Sequence, residues 1–102
     1  MSSSKYSVRL LPIAEEDFQE IIAYIAAENP TAAYELADRI EKNLEHLVFH
    51  PHLGKIPDDE KLSMMDYRFT VVENYLIFYT INRKTILVHR IIHGARDLQH
   101  LL

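Results

Sequence analysis

The chain has 102 residues, 48% of them hydrophobic and 25% charged, a balance that fits one compact domain around a single core. It contains no cysteine, which excludes a disulfide framework, a thiolate metal site and a cysteine nucleophile, and suits a reducing compartment such as the cytoplasm. Its net charge of −4 is the reverse of the strongly basic balance of a dedicated nucleic-acid binder, so any such role is local.

Residues 1–5 read as a flexible tail, lacking the roughly 7–15-residue apolar core of a signal peptide, and no run approaches the about 18 apolar residues of a membrane span. A cytoplasmic protein with no membrane segment is expected. In the run 6–11, Tyr6, Val8 and Leu10 alternate with Ser7 and Arg9 before Pro12 interrupts pairing, which predicts a short strand. From Ala14 the period lengthens: Phe18, Ile21, Ile22 and Ile25 recur at helical steps, with Glu15, Glu16 and Asp17 at the positive end of the helix dipole. This predicts a helix to about Glu28. Asn29 followed by Pro30 is a start signal for a second helix, so the two form a hairpin. Ala33, Leu36, Ala37, Ile40, Leu44, Leu47 and Val48 carry the apolar stripe of that helix over 30–49.

Residues 50–66 hold two of the four prolines and one of the two glycines, which predicts a long loop. Three runs rich in β-branched and aromatic residues follow, 67–72, 75–81 and 85–92, joined by hairpin-length connections. Tyr75 and Tyr79 fall on one face of the middle run, where a cross-strand cluster is expected. Gly94 ends the last run, leaving room for a short C-terminal turn or helix. The expectation is an α+β fold in the order β-α-α-β-β-β. A helical hairpin packs on a four-stranded, mainly antiparallel twisted sheet, and residues 6–102 form a single domain.

Three stretches resemble the RelE/ParE superfamily of toxins from type II toxin–antitoxin systems. They are Tyr6-Ser-Val-Arg-Leu with Ala14-Glu-Glu-Asp-Phe, Asn74-Tyr-Leu-Ile-Phe-Tyr-Thr-Ile81, and Ile86-Leu-Val-His-Arg-Ile-Ile-His-Gly-Ala-Arg-Asp97. The last is the most specific, because a hydrophobic strand running into His-Gly-Ala-Arg-Asp resembles the closing signature of ParE-like members. The resemblance implies the fold reached above and a cognate antitoxin as partner. It leaves the target open between DNA gyrase, for ParE-like members, and ribosome-bound messenger RNA, for RelE-like endonucleases; a toxin-like chain that has lost its toxicity is a third reading.

The side chains favour gyrase. An RNase of this kind needs paired cations and an acid/base group on one surface to move a proton and stabilise a pentavalent phosphate. Where the strand Tyr75-Leu-Ile-Phe-Tyr79 resembles the Tyr-Arg-Leu-Val-Tyr pattern of RelE-like toxins, Leu76 replaces the arginine. The candidate functional surface is Arg68, Arg90, His93 and Arg96, of which Arg96 matches a basic residue of the RNase members. Each also has a structural reading. Arg68 and Arg90 fit solvated or acid-paired strand arginines, His93 fits a hydrogen-bonded histidine at a strand end, and Arg96 fits an ion pair with Asp97. His46, His50 and His52 lack an evident third ligand of metal geometry, so neither a metal nor a cofactor is expected. The acidic run Asp58-Asp59-Glu60 reads as a solvated loop or a contact for basic antitoxin residues.

Overall fold

The computed structural model describes residues 5–94. The chain runs β1 (Ser7–Leu10), α1 (Pro12–Ala26), α2 (Pro30–Phe49), α3 (Glu60–Met64), β2 (Arg68–Val72), β3 (Tyr75–Asn82) and β4 (Thr85–His93). The α+β order and the helical hairpin on a largely antiparallel four-stranded sheet are as expected. The strands lie in the order β1-β4-β3-β2. The two hairpins β2/β3 and β3/β4 are antiparallel, and β1 joins parallel to β4 with Ser7 opposite Thr85 and Leu10 opposite Val88. The last strand is therefore interior, a placement that hydrophobic periodicity cannot reveal.

α1 begins at Pro12, two residues before the expected start, because proline is pre-organised for a first helical position where its missing N–H has no partner to lose. Asn29 caps α2 through its side chain, which accepts a bond from the Ala32 N–H at 3.1 Å, and Pro30 again takes the first turn. The loop 50–66 is more ordered than its composition suggests. Asp59 accepts from the Leu62 N–H at 2.9 Å and starts the single turn α3, while Lys55 and Phe69 exchange backbone bonds of 2.8 and 2.9 Å along the outer edge of β2. A five-residue helix has too few positions to display a period. The expected tail residues 1–4 and the expected C-terminal turn from Ala95, including Arg96, lie outside the described residues.

Ala14, Leu36, Ile40 and Leu47 from the hairpin meet Ile77, Tyr79, Ile86, Val88 and Ile91 from the sheet in one core, with Ile25 packed at its margin. In β4 the inward positions run 86, 88, 91. The register slips between Phe78 and Tyr79, leaving His89 as an extra residue, so the strand changes phase at a bulge. Replacing Leu47 or Ile40 by alanine opens a cavity where each is at most 1% exposed, and about 2–5 kcal/mol of stability is expected to be lost. Ile25→Ala costs less, since that side chain is only partly buried; thermal melts of the three variants check the ranking. No helix among the described residues is long and apolar enough to cross a membrane.

Candidate functional site

Tyr79 and Arg68 sit opposite each other on β3 and β2 and together fasten the start of the long loop. The fully buried Tyr79 hydroxyl donates to the Pro51 carbonyl at 2.7 Å and accepts from the Gly54 N–H at 3.0 Å. Arg68 Nη1 donates to the Gly54 and His52 carbonyls at 3.1 and 3.3 Å. Burial pushes the Tyr79 phenol above its usual pKa, with the Gly54 N–H and the Arg68 charge pulling weakly the other way. The expected Tyr75 and Tyr79 cluster divides: both lie on the hairpin side, but Tyr75 meets His93 edge to face at 5.4 Å while Tyr79 turns to the loop.

Arg90 reaches around the sheet edge to α1. Its Nε and Nη2 donate to the two Asp17 carboxylate oxygens at 2.8 and 3.0 Å, and the Ile91 N–H donates to the same carboxylate at 3.0 Å. The geometry follows from β1 being short. Beyond Leu11, whose N–H bonds the Val88 carbonyl, the chain turns into α1, so a side-chain carboxylate takes the place of a strand partner for β4. Of the four candidate residues, Arg68 and Arg90 are thus about one sheet but hold different neighbours, His93 meets Tyr75 edge to face, and Arg96 lies outside the described residues. His46 and His50 make ring contact at 5.1 Å at the end of α2, and no group of three or more potential metal ligands occurs among the described residues.

The sheet face away from the hairpin carries Phe69, Leu76, Phe78 and His89, with α3 lying over it. Leu62 and Phe78 border two hollows there, one of about 300 Å³ shared with Tyr67, Met65 and His89, the other of about 260 Å³ shared with Pro57, Phe69 and Leu76. At the bulge His89 is held by two hydroxyls, Thr80 Oγ1 at 2.9 Å from Nε2 and Tyr67 Oη at 3.3 Å from Nδ1. Burial lowers its pKa below the usual 6.5, so the folded chain disfavours the imidazolium. The unfolded chain then binds more protons on the acid side, and the stability this group contributes is present above about pH 6.5 and lost as the pH falls below it. Melting temperatures measured from about pH 7.5 to 5.5 should therefore fall more steeply for the wild type than for His89→Gln.

Sequence reasoning passed over Asp17, Tyr79 and His89 as site-shaping residues. The phase slip from Val88 to Ile91 was the available signal for His89; nothing local marks Asp17, whose partner lies 73 residues away.

These features belong to a toxin fold. A family model for the ParE toxin of the type II toxin–antitoxin system parDE matches residues 8–98, and the chain belongs to that family. Among solved structures it is similar to the chromosomal ParDE TA system from P. aeruginosa, with a TM-score of 0.71 and 18% identity over 89% of this chain and 98% of that one. It is also similar to the toxin–antitoxin complex RelBE2 from Mycobacterium tuberculosis, with a TM-score of 0.62 and 22% identity over 87% of this chain and 98% of that one. At these identities the two structures support the shared fold and not a shared target. No curated protein sequence matches the chain significantly.

Proposed function

We propose that this protein is the toxin half of a type II toxin–antitoxin module, that it inhibits DNA gyrase by protein–protein binding, and that a cognate antitoxin neutralises it. The observation that carries the choice of target is the environment of Leu76. The position that resembles the strand arginine of RNase members lines a hollow with Pro57, Asp58, Asp59, Leu62, Phe69 and Phe78, a wall of hydrocarbon and carboxylate side chains that offers no cation to a pentavalent phosphate. Of the two cations that border the neighbouring hollow, Lys61 and Arg90, the arginine is held by Asp17. An antitoxin is supported by the family and by the two structural neighbours, both toxin–antitoxin assemblies. Exposed Ile13, Tyr24, Tyr34 and Phe49 on the two helices supply apolar surface for its tail, which is expected to bury on the order of 1,500–3,000 Å².

The test is direct. Purified protein added to gyrase and relaxed plasmid should block supercoiling, and antitoxin should restore it. In cells, DNA damage signalling and filamentation should precede any fall in protein synthesis. Immediate arrest of translation with cut messages, and gyrase unaffected in vitro, would transfer the protein to the ribosome-dependent endonucleases. Arg96 follows the last strand in the motif carrying the resemblance, and its guanidinium offers a rigid donor fork that lysine lacks. Arg96→Ala and Arg96→Lys are both expected to lose most toxicity with an unchanged melting temperature; full killing by a stable Arg96→Ala protein removes the residue from the functional surface.

A further inference from the structure

Arg68 does more than hold the loop. Only its Nη1 is engaged by the His52 and Gly54 carbonyls, while Nε and Nη2 make no hydrogen bond among the described residues. The residue lines a hollow of about 270 Å³ together with His52, Ser63, Tyr67, Ile56 and Ile81, with Asp66 also on its wall. No ion pair joins Asp66 to Arg68 among the described residues. Asp66 adopts a positive φ of 64°, and its N–H bonds the Ser63 carbonyl at 3.1 Å, so the turn that brings Ser63 beside Arg68 is closed on itself.

We propose that this hollow binds a single carboxylate, the side chain of a Glu or Asp on a protein partner, through the unused edge of the Arg68 fork; the proposal rests on the reading that the toxin acts through protein contacts. Three observations favour it. The Arg68 guanidinium is already oriented by two carbonyls, so little side-chain freedom is lost when a planar carboxylate meets the remaining donors. The hydroxyl of Ser63 and the ring of His52 border the same space, offering further donors to a carboxylate oxygen, while the Tyr67 hydroxyl is paired with His89. Ile56 and Ile81 supply an apolar wall for the methylene stem of such a side chain.

Charge selects this ligand over a nucleic-acid strand. Arg68 is the one arginine or lysine on the wall among the described residues, so the hollow offers a single positive charge, and Asp66 on the same wall opposes any ligand carrying more than one negative charge.

Sodium propionate, which reproduces a Glu side chain, is the probe. The ¹⁵N-labelled full chain is titrated with propionate, phosphate and chloride at matched ionic strength, following the Arg68 Nε–H and Ser63 amide signals. Saturable shifts are expected with propionate, weaker ones with phosphate and none with chloride. Ser63→Ala and His52→Ala should each weaken propionate binding about three- to tenfold with an unchanged melting temperature, the loss of one hydrogen bond apiece. Arg68→Lys should abolish saturation, and the Ser63 and His52 variants keep the test valid if that change loosens the loop. Tighter binding of phosphate than of propionate would make this an anion site for a nucleic-acid backbone and overturn the proposal. Shifts no larger than those with chloride would remove the site altogether. The assay contains no gyrase, so a toxin that blocks supercoiling without binding propionate loses only this site, and one that binds propionate without blocking supercoiling loses only the gyrase reading.

Discussion

Tyr79→Phe is expected to cost about 2–5 kcal/mol, far more than the removal of one oxygen suggests, because it strands two buried backbone groups at once. The hydroxyl is the acceptor for the Gly54 N–H and the donor to the Pro51 carbonyl, and both residues are buried. A loss of about 4–8 °C per kcal/mol for a domain near this size places the melting temperature at least about 8 °C lower. Ionisation gives a second readout. The folded phenol has a raised pKa, so the folded chain keeps a proton that the unfolded chain releases, and stability is full below about pH 10 and lost as the pH rises through the folded value. Tyr79→Phe should remove that alkaline component. Gly54→Ala attacks the same contact from the other side: an added Cβ would lie 2.8 and 2.9 Å from Tyr79 Cε1 and Cζ and closer still to its oxygen. With Tyr79 walled in, the loop must move, and Gly54→Ala should destabilise as much as Tyr79→Phe. The double variant should lose less than the two losses added together, since both act on one contact. If Tyr79→Phe melts within about 2 °C of the wild type, water has replaced the hydroxyl and the staple is not what orders the loop.

The parts of this architecture that were legible in the sequence are those written in short-range pattern. The stripe from Ala33 to Leu47 and the Asn29-Pro30 junction define α2 without reference to the rest of the chain. The three strand runs fall where expected because the two-residue connections Glu73-Asn74 and Arg83-Lys84 force hairpins, each with a positive φ at its first residue. What periodicity does not contain is the partner of β1. Tyr6 to Leu10 announce a strand, yet only the path of the helical hairpin brings that strand beside β4 rather than β2.

The candidate site was legible as a list of side chains but not as a set of contacts. Arg68 and Arg90 look alike in sequence, each a lone cation in an apolar strand. They differ because Arg90 follows the extra residue of a bulge and turns to the edge, where α1 presents Asp17, whereas Arg68 faces the loop that Tyr79 pins. Leu76 was the exception. Its apolar character could be weighed against a strand arginine from sequence alone, and its neighbours Phe69 and Phe78 extend the same hydrocarbon face.

Asp17→Ala is expected to cost about 2–4 kcal/mol, because it removes the acceptor of three hydrogen bonds in a place water reaches poorly. The Asp17 side chain is 13% exposed and that of Arg90 34%, which keeps the figure below that for a fully buried pair. Two consequences follow from the position of the carboxylate. The Ile91 N–H loses the group that stands in for a neighbouring strand, so amide exchange at Ile91 and Ile92 should accelerate before global unfolding does. Arg90 loses its bidentate partner while keeping its charge, and this separates a structural from a functional arginine. Should Arg90 work mainly as a clamp, Arg90→Ala will cost less than Asp17→Ala, since the carboxylate still accepts from Ile91. The double variant will then fall short of additivity by about 1 kcal/mol or more, as expected for two groups sharing one interaction. In that case toxicity will follow the melting temperature through all three variants. A contact between Arg90 and the target predicts the opposite: Arg90→Ala loses toxicity out of proportion to its melting temperature, while Asp17→Ala, with the arginine retained, kills at any temperature at which it is folded.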